Sequence, residues 1–486
     1  MKLKILFYLS MIFSFVSCNI SFDNAPKLKF ETARKYIGYR DLPSIGSPKM
    51  LVIPVVFKDC ALSETELENE HKNIVDSFTG NSEDTYWESV KSFYYKSSYG
   101  KLDLDINVSP YFYSEKTIIE ENKLAREAGI EPTYNVLSDA ALWYASNFDD
   151  YNSYDSNGDG LIDSIWLIYM DDFNNDYFSK HPDMISEYKL NDFLWAYTYW
   201  YVARWDNKDY KKPFAYAWAS YKFLYEGDSN GKDAHTLIHE TGHLLGLEDY
   251  YNYDYDGKLT GDRTKPTGAL DMMDNNVYDH NAYTKYLLDW IEPTIVSNDT
   301  YTLPAFQNNG DALIVKTSNN NSAMDEYLII EYFTPTGLNE LDSKTAYTTF
   351  LNNRFTEPGF KIYHVDSRLG VFKYKNYNLE FEEYYDNYSS FKQDAKKDVI
   401  QIAHSNTPSR SGVKSKRLIC LLSAVGKSRL YFKGGLSVTA QNKDLFQKGD
   451  SLSTFTFNSY QDDDLLIEIL ESNESEGVIR FSGVGK

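Results

Sequence analysis

The spacing of apolar positions changes along the chain, and each change predicts an element. Met50–Asp59, MLVIPVVFKD, is a continuous apolar run of strand length with β-branched residues, which predicts a buried strand. Thr85–Ser98 sets Tyr86, Val90, Phe93 and Tyr94 at helical spacing. Ser98-Tyr99-Gly100-Lys101-Leu102 stops that helix, and Leu102, Leu104, Ile106 and Val108 then alternate as a strand does. Tyr134–Phe148 returns to helical period, Ser164–Met170 reads as a strand, and Ala282–Pro293 as a helix. From Ser297 onward the pattern shortens. Leu313–Val315, Tyr327–Tyr332, Gly359–Asp366, Leu418–Leu422 and Leu465–Ile467 are strand-length runs between turn residues, so this part is expected to be all β. Leu379–Tyr388 is acidic and Tyr-rich and reads as a loop insertion.

The first residues follow a different logic. Lys2 and Lys4 precede a short apolar run, Ile5–Phe15, which is too short to span a bilayer comfortably. It ends in Phe15-Val16-Ser17-Cys18, so residues 1–18 read as a signal peptide, with Cys18 as the expected lipidation site. Asn19–Lys49 is polar and suits a tether or a short pro-segment. The chain is therefore expected to be exported, extracellular or anchored at the cell surface by lipid. A net charge of −22 argues against nucleic acid and against non-specific attachment to anionic lipid. Three Cys do not make a disulfide framework; if Cys18 is lipidated, Cys60 and Cys420 remain and could pair.

The chemistry concentrates in Thr236–Tyr250, TLIHETGHLLGLEDY. His239 and His243, four residues apart, share one helix face and can aim at a common atom, as two zinc ligands do. Glu240 sits beside the open position and can take a proton from water. Gly246 can adopt the left-handed conformation that ends a helix and lets Asp249 return as third ligand; Glu248 and Asp254 are also near. His235 lies one turn earlier, but one straight helix cannot wrap three ligands around a tetrahedral ion, so it reads as a helix-start or supporting residue.

Asp155-Ser156-Asn157-Gly158-Asp159-Gly160-Leu161-Ile162-Asp163 reads as the first part of a calcium loop. Its ligand candidates are Asp155, Asn157, Asp159, the Leu161 carbonyl and Asp163. The competing reading is a tight Asx-rich turn before a strand, since position twelve is Trp166 and not Glu. Asp171–Asp233 is rich in Tyr and Trp, suited equally to a cleft rim or to core strands with a surface insertion. His280, in an Asn/Asp context, is expected to be exposed, and Tyr278 is a candidate oxyanion stabiliser.

The HExxHxxGxxD string resembles the extended zinc motif of metzincin-like peptidases, and in detail the immune inhibitor A-type bacterial metallopeptidases. Further pieces match in order: SYGKL, DxNGDGxxD followed by a strand, Gly268–Asp274, EYLIIEY, GFKIYHVD and Asp444–Asp450. The resemblance covers most of Leu51–Gly483. It implies an α+β zincin/metzincin-like catalytic domain over 50–296 followed by an all-β, sandwich-like region over 297–486. It makes Met273 the Met-turn residue, a packing floor beneath the ligands. The implied activity is a zinc-dependent endopeptidase with Glu240 as general base, Zn2+ and Ca2+ as cofactors, and protein or peptide substrates, host proteins among them. The alternative is a catalytically silent surface-binding lipoprotein on the same scaffold.

Overall fold

A computed structural model describes residues 42–129, 133–173, 177, 179–180, 191–200, 205, 207–225, 231–252, 265–316, 325–345, 354–375, 378–384, 399–402, 406, 417–426, 439–458 and 461–484. The expected signal peptide, Cys18 and Asp254 lie outside them. The architecture is mixed α/β with several sheets. Among the described residues no helix is long and apolar enough to cross a membrane.

The first module is built on a six-stranded sheet. Strand β1 (Lys49–Val56) is followed by helices α1 (Glu64–Thr79) and α2 (Val90–Ser97), strands β2 (Asp105–Val108) and β3 (Phe112–Tyr113), and helices α3 (Ile118–Ala128) and α4 (Tyr134–Asn147). Then come β4 (Leu161–Tyr169), β5 (Tyr197–Trp200), β6 (Lys212–Ser220) and helix α5 (His235–Leu244). The order is β2-β1-β4-β6-β5, with β3 also beside β1; all pairs are parallel except β5 on β6.

Alternation along the strands feeds two cores. Met50, Val52, Trp166 and Ile168 face one side with α1, α2 and α5; Leu51, Ile53, Val55, Ile165 and Leu167 face the other with α3 and α4. Strand β6 sorts by size: Ala215, Ala217 and Ala219 join the core that holds α5, while Tyr216 and Trp218 fill the opposite one. Small side chains there let the helix lie close on the sheet.

Helix starts follow local hydrogen bonding. Ser63 with Glu66 and Thr117 with Glu120 form capping boxes at α1 and α3. The helix expected over Thr85–Ser98 begins only at Val90, because Ser89 caps it reciprocally with Ser92; Tyr86 stays exposed ahead of it. The helix expected over Ala282–Pro293 stops at Leu287, and Asp289 takes a positive φ of 62°.

The remaining elements are α6 (Met272–Asn275), α7 (Ala282–Leu287), β7 (Thr294–Ile295), β8 (Thr300–Pro304), β9 (Ala312–Lys316), β10 (Glu326–Phe333), β11 (Gly359–Asp366), β12 (Leu369–Lys375), β13 (Asn378–Tyr384), β14 (Val399–Ile402), β15 (Ile419–Leu421), β16 (Ser451–Thr456), β17 (Gln461–Ser472) and β18 (Glu476–Ser482). The region is β-rich but not all β, since short helices occupy Phe306–Asn309 and Glu340–Lys344. Part of the Leu379–Tyr388 segment, expected as a loop, runs as β13 paired with β12.

Sheet β15-β11-β10-β9-β7 is buried on both faces. Leu313, Leu328, Ile330, Phe360 and Ile362 pack against sheet β16-β17-β18-β8 as a sandwich. Ile314, Tyr327, Ile329, Tyr363 and Val365 belong to the core of the first module. The hydrophobic core is thus continuous across the boundary expected at 296/297.

Residues 42–48, assigned by sequence to the tether, are built into this body. Leu42 is buried, its amide donates to the Leu244 carbonyl at the end of α5 (3.0 Å), and the Ser44 carbonyl accepts from the Trp290 indole (2.7 Å). Removing residues 1–48 should therefore cost about 2–4 kcal/mol relative to removing 1–41, from one buried Leu and two buried hydrogen bonds. Urea midpoints of the two truncated proteins measure the difference.

Candidate metal centre

Every residue of α5 is buried. The helix is held from three sides. The Trp166 indole donates to Thr241 Oγ1 (3.1 Å), and the Tyr94 hydroxyl donates to the Ile238 carbonyl (2.7 Å). Its start is fixed by Asp233, which accepts from the His235 amide (3.0 Å). At the other end Gly246 takes φ 87°, and the Leu247 amide folds back onto the Gly242 carbonyl (3.1 Å). That reversal delivers Asp249.

His239, His243 and Asp249 each offer a ligand atom, and these atoms lie within 4.8 Å of one another. Glu248 is not part of the cluster. His239 Nδ1 lies 2.7 Å from the Met272 carbonyl, and His243 Nδ1 lies 2.7 Å from the Leu247 carbonyl. A carbonyl only accepts, so each Nδ1 carries a proton; in the neutral form of each ring this leaves a lone pair on Nε2, turned inward. Those lone pairs face Asp249 Oδ1 at 2.9 and 3.3 Å. Oδ1 is buried and takes no hydrogen bond.

Three electron-rich atoms turned on one point require positive charge between them. The same requirement appears as proton affinity. Burial disfavours the His243 imidazolium, yet the Asp249 carboxylate outweighs it and pushes the ring up to about 10. Burial likewise opposes ionisation of Asp249, and the two imidazoles outweigh it and hold the carboxyl well below its usual range. Two imidazoles and one carboxylate are a donor set that could hold a metal ion.

Glu240 is buried between these ligands and β5. Burial raises its pKa, and the two imidazoles and Thr198 pull against that rise. The Thr198 hydroxyl lies 3.1 Å from both Oε2 and the main-chain carbonyl of Glu240. Two residues on, the Trp200 ring stands edge-on to His243 at 6.1 Å. Sequence reasoning placed aromatic residues here but missed Thr198, whose contact with Glu240 is made across forty-two residues of chain.

Met273 lies under the helix. A Cβ built on Gly242 would come within 2.6 Å of the Met273 sulfur. Asp271 caps α6 by accepting from the Met273 amide (2.9 Å) and takes a second bond from Asn281 (2.7 Å). This short turn therefore sets both the floor and the carbonyl that orients His239.

His235 is the first residue of α5. It stacks on Trp87 at 4.3 Å, pairs through Nδ1 with Asp233, and sets Nε2 3.7 Å from Asp342. Burial opposes its charge, but the two carboxylates prevail and push the imidazolium up to about 10.

Other expected residues fall elsewhere. His280 is buried, not exposed, against Phe93, Tyr94 and Trp290 at 5.5–5.9 Å, and burial drives its pKa well below the usual value. The three aromatic rings supply enough apolar contact to override its polar sequence context. The Tyr278 hydroxyl is committed to the Phe355 backbone, accepting from its amide at 3.0 Å. In the Asp155–Asp163 loop the side-chain oxygens turn on the loop's own backbone. Asp155 accepts from the Asp159 and Gly160 amides, Asn157 from Asp159, Asp159 from Leu161, and Asp163 from Ser156, at 2.8–3.0 Å. The Lys211 ammonium lies 2.6 Å from Asp155. The loop thus has the form of an Asx-rich turn, and it is not among the metal-holding groups found in the described residues. Cys60 and Cys420 are free thiols, and Cys60 donates to the Met170 carbonyl.

No family model matches this chain, and no curated protein matches it.

Two outcomes follow from this geometry. Gly242→Ala should cost about 1–3 kcal/mol by overpacking Met273, and Met273→Ala in the same chain should recover part of that loss in a double-mutant cycle of urea midpoints. The His235 pKa is raised on folding, so its stabilisation is full below about 6.5 and is lost as pH rises through about 10. Between pH 8 and pH 10.5 the native chain should lose more stability than His235→Gln, as measured by urea unfolding at each pH.

Proposed function

We propose that this chain is a zinc-dependent endopeptidase of the immune inhibitor A type, exported and acting on proteins or peptides outside the cell. The observation that carries the reading is the convergence of His239 Nε2, His243 Nε2 and Asp249 Oδ1 beside the carboxylate of Glu240. When bound, a zinc ion in this site would supply Lewis-acid polarisation of the scissile carbonyl and a lowered pKa for the attacking water.

The chain's own groups do the rest. Met272 and Leu247 hold the two imidazoles by their Nδ1 protons, so both rings are oriented with Nε2 turned toward Asp249. Burial keeps Glu240 basic enough to take the proton of the attacking water, and the same carboxyl returns it to the leaving amine. Thr198 steadies that carboxylate through Oε2. Among the described residues β5 pairs only with β6, so its other edge can accept an extended peptide as an added strand. Thr198 and Trp200 on that strand would set the peptide beside Glu240 and His243. Calcium in the Asp155–Asp163 loop belongs to this proposal as a supporting ion, in competition with Lys211.

The chain without residues 1–18 should cleave casein, and a zinc chelator should abolish the cleavage. Glu240→Gln should keep bound metal and lose about a hundredfold or more in kcat/KM. Asp249→Ala should lower metal affinity at least about tenfold in a competition titration. Chelator-resistant cleavage, or undiminished turnover in Glu240→Gln, overturns the reading.

A further inference from the structure

We infer that Trp195 forms a subsite for a large apolar or aromatic side chain of the bound peptide, three residues past the cleaved bond on its carboxyl side. The inference rests on the peptidase reading and adds a substrate preference to it. Trp195 is 50% exposed, although its neighbours Leu194 and Ala196 are buried. Its exposed ring is not loose. Phe173 and Phe223 stack on each other at 4.2 Å and 13°, and the Trp195 ring stands edge-on to both, at 5.9 and 5.5 Å. Phe223 is itself buried in the core that holds α5. A rigid, solvent-facing indole on an aromatic base presents apolar area that no part of the described fold covers, and it takes little ordering to bind.

Its position relates it to the metal centre. Trp195 precedes Thr198, the residue that touches Glu240, by three residues on the same chain segment. Trp195 lies in the bend between the Asn191–Leu194 helix and β5, so these three residues span at most about 10 Å. Antiparallel pairing is the more stable way to add a strand to the β5 edge. In that orientation, residues before Thr198 lie opposite peptide residues after the cleaved bond. A residue about three positions past the bond comes within that reach of Trp195. Apolar contact of this size discriminates by about tenfold.

The test is cleavage of a decapeptide library by the metal-loaded full chain, with cleaved bonds located by mass spectrometry. Phe, Tyr, Trp or Leu should be enriched about tenfold over Ala at the third position after the bond. Trp195→Ala should flatten this enrichment to within about twofold while leaving kcat/KM for peptides with Ala there unchanged; Trp195→Phe should retain most of it. Enrichment that survives Trp195→Ala, or that never arises, overturns the subsite. If the wild-type chain binds zinc and cleaves nothing, the peptidase reading fails, and the subsite is decided by binding alone. Glu240→Gln, with and without Trp195→Ala, is then titrated with a phenylalanine-bearing decapeptide and its alanine counterpart. A Trp195-dependent gap of about tenfold supports the subsite, and equal affinities overturn it.

Discussion

The structure depends on two backbone carbonyls. Met272 and Leu247 each take the Nδ1 proton of one imidazole, and this fixes which nitrogen of His239 and of His243 is left bare. With Asp249 buried against those bare nitrogens, the core contains a point that only positive charge can make stable. Much of the surrounding fold can be understood as holding those carbonyls still. Asp271 and Asn281 fix the turn that carries Met272, and Gly246 makes the reversal that carries Leu247.

The β-rich region takes part in this support. Asp342 reaches His235 at the start of α5 and accepts from the Tyr278 amide (2.6 Å). Glu331 on β10 accepts from the Ala282 amide at the first turn of α7, also at 2.6 Å, and pairs with Lys361. Burial draws the pKa of Glu331 upward and Lys361 opposes it, as expected for a carboxylate that belongs to an interior pair. A sheet buried on both faces, one toward its sandwich partner and one toward the first module, has no surface along which the two parts could separate cheaply.

Some of this was legible in the sequence, for physical reasons. His239, Glu240, His243, Gly246 and Asp249 sit within eleven consecutive residues, so helical geometry and one glycine suffice to bring them together. Met50–Asp59 reads as a strand from its apolar run, and the strand ends at Val56, with every residue from Met50 to Val56 buried. What could not be read depends on distant partners. Thr198 gains its role only because β5 turns antiparallel beside α5, and His280 looks solvent-facing until Phe93, Tyr94 and Trp290 close around it. The Asp155–Asp163 loop shows another dependence: its spacing suits a cation, while short-range Asx bonds already engage Asp155 and Asn157 with the loop's own backbone.

The ligand atoms are close in sequence, whereas their orientation is not set locally. His239 waits for Met272, thirty-three positions later, and the start of its helix waits for Asp342. Capture of an ion at this site would therefore be coupled to folding of the chain at least as far as Asp342. A truncated or partly folded species still carries every ligating side chain but holds an ion only as loosely as a flexible peptide does. By linkage, the free energy of binding an ion there would be folding free energy for the folded protein. Retention of an ion at this site would then be a test of integrity: damage to the β-rich region far from the centre would show first as its loss.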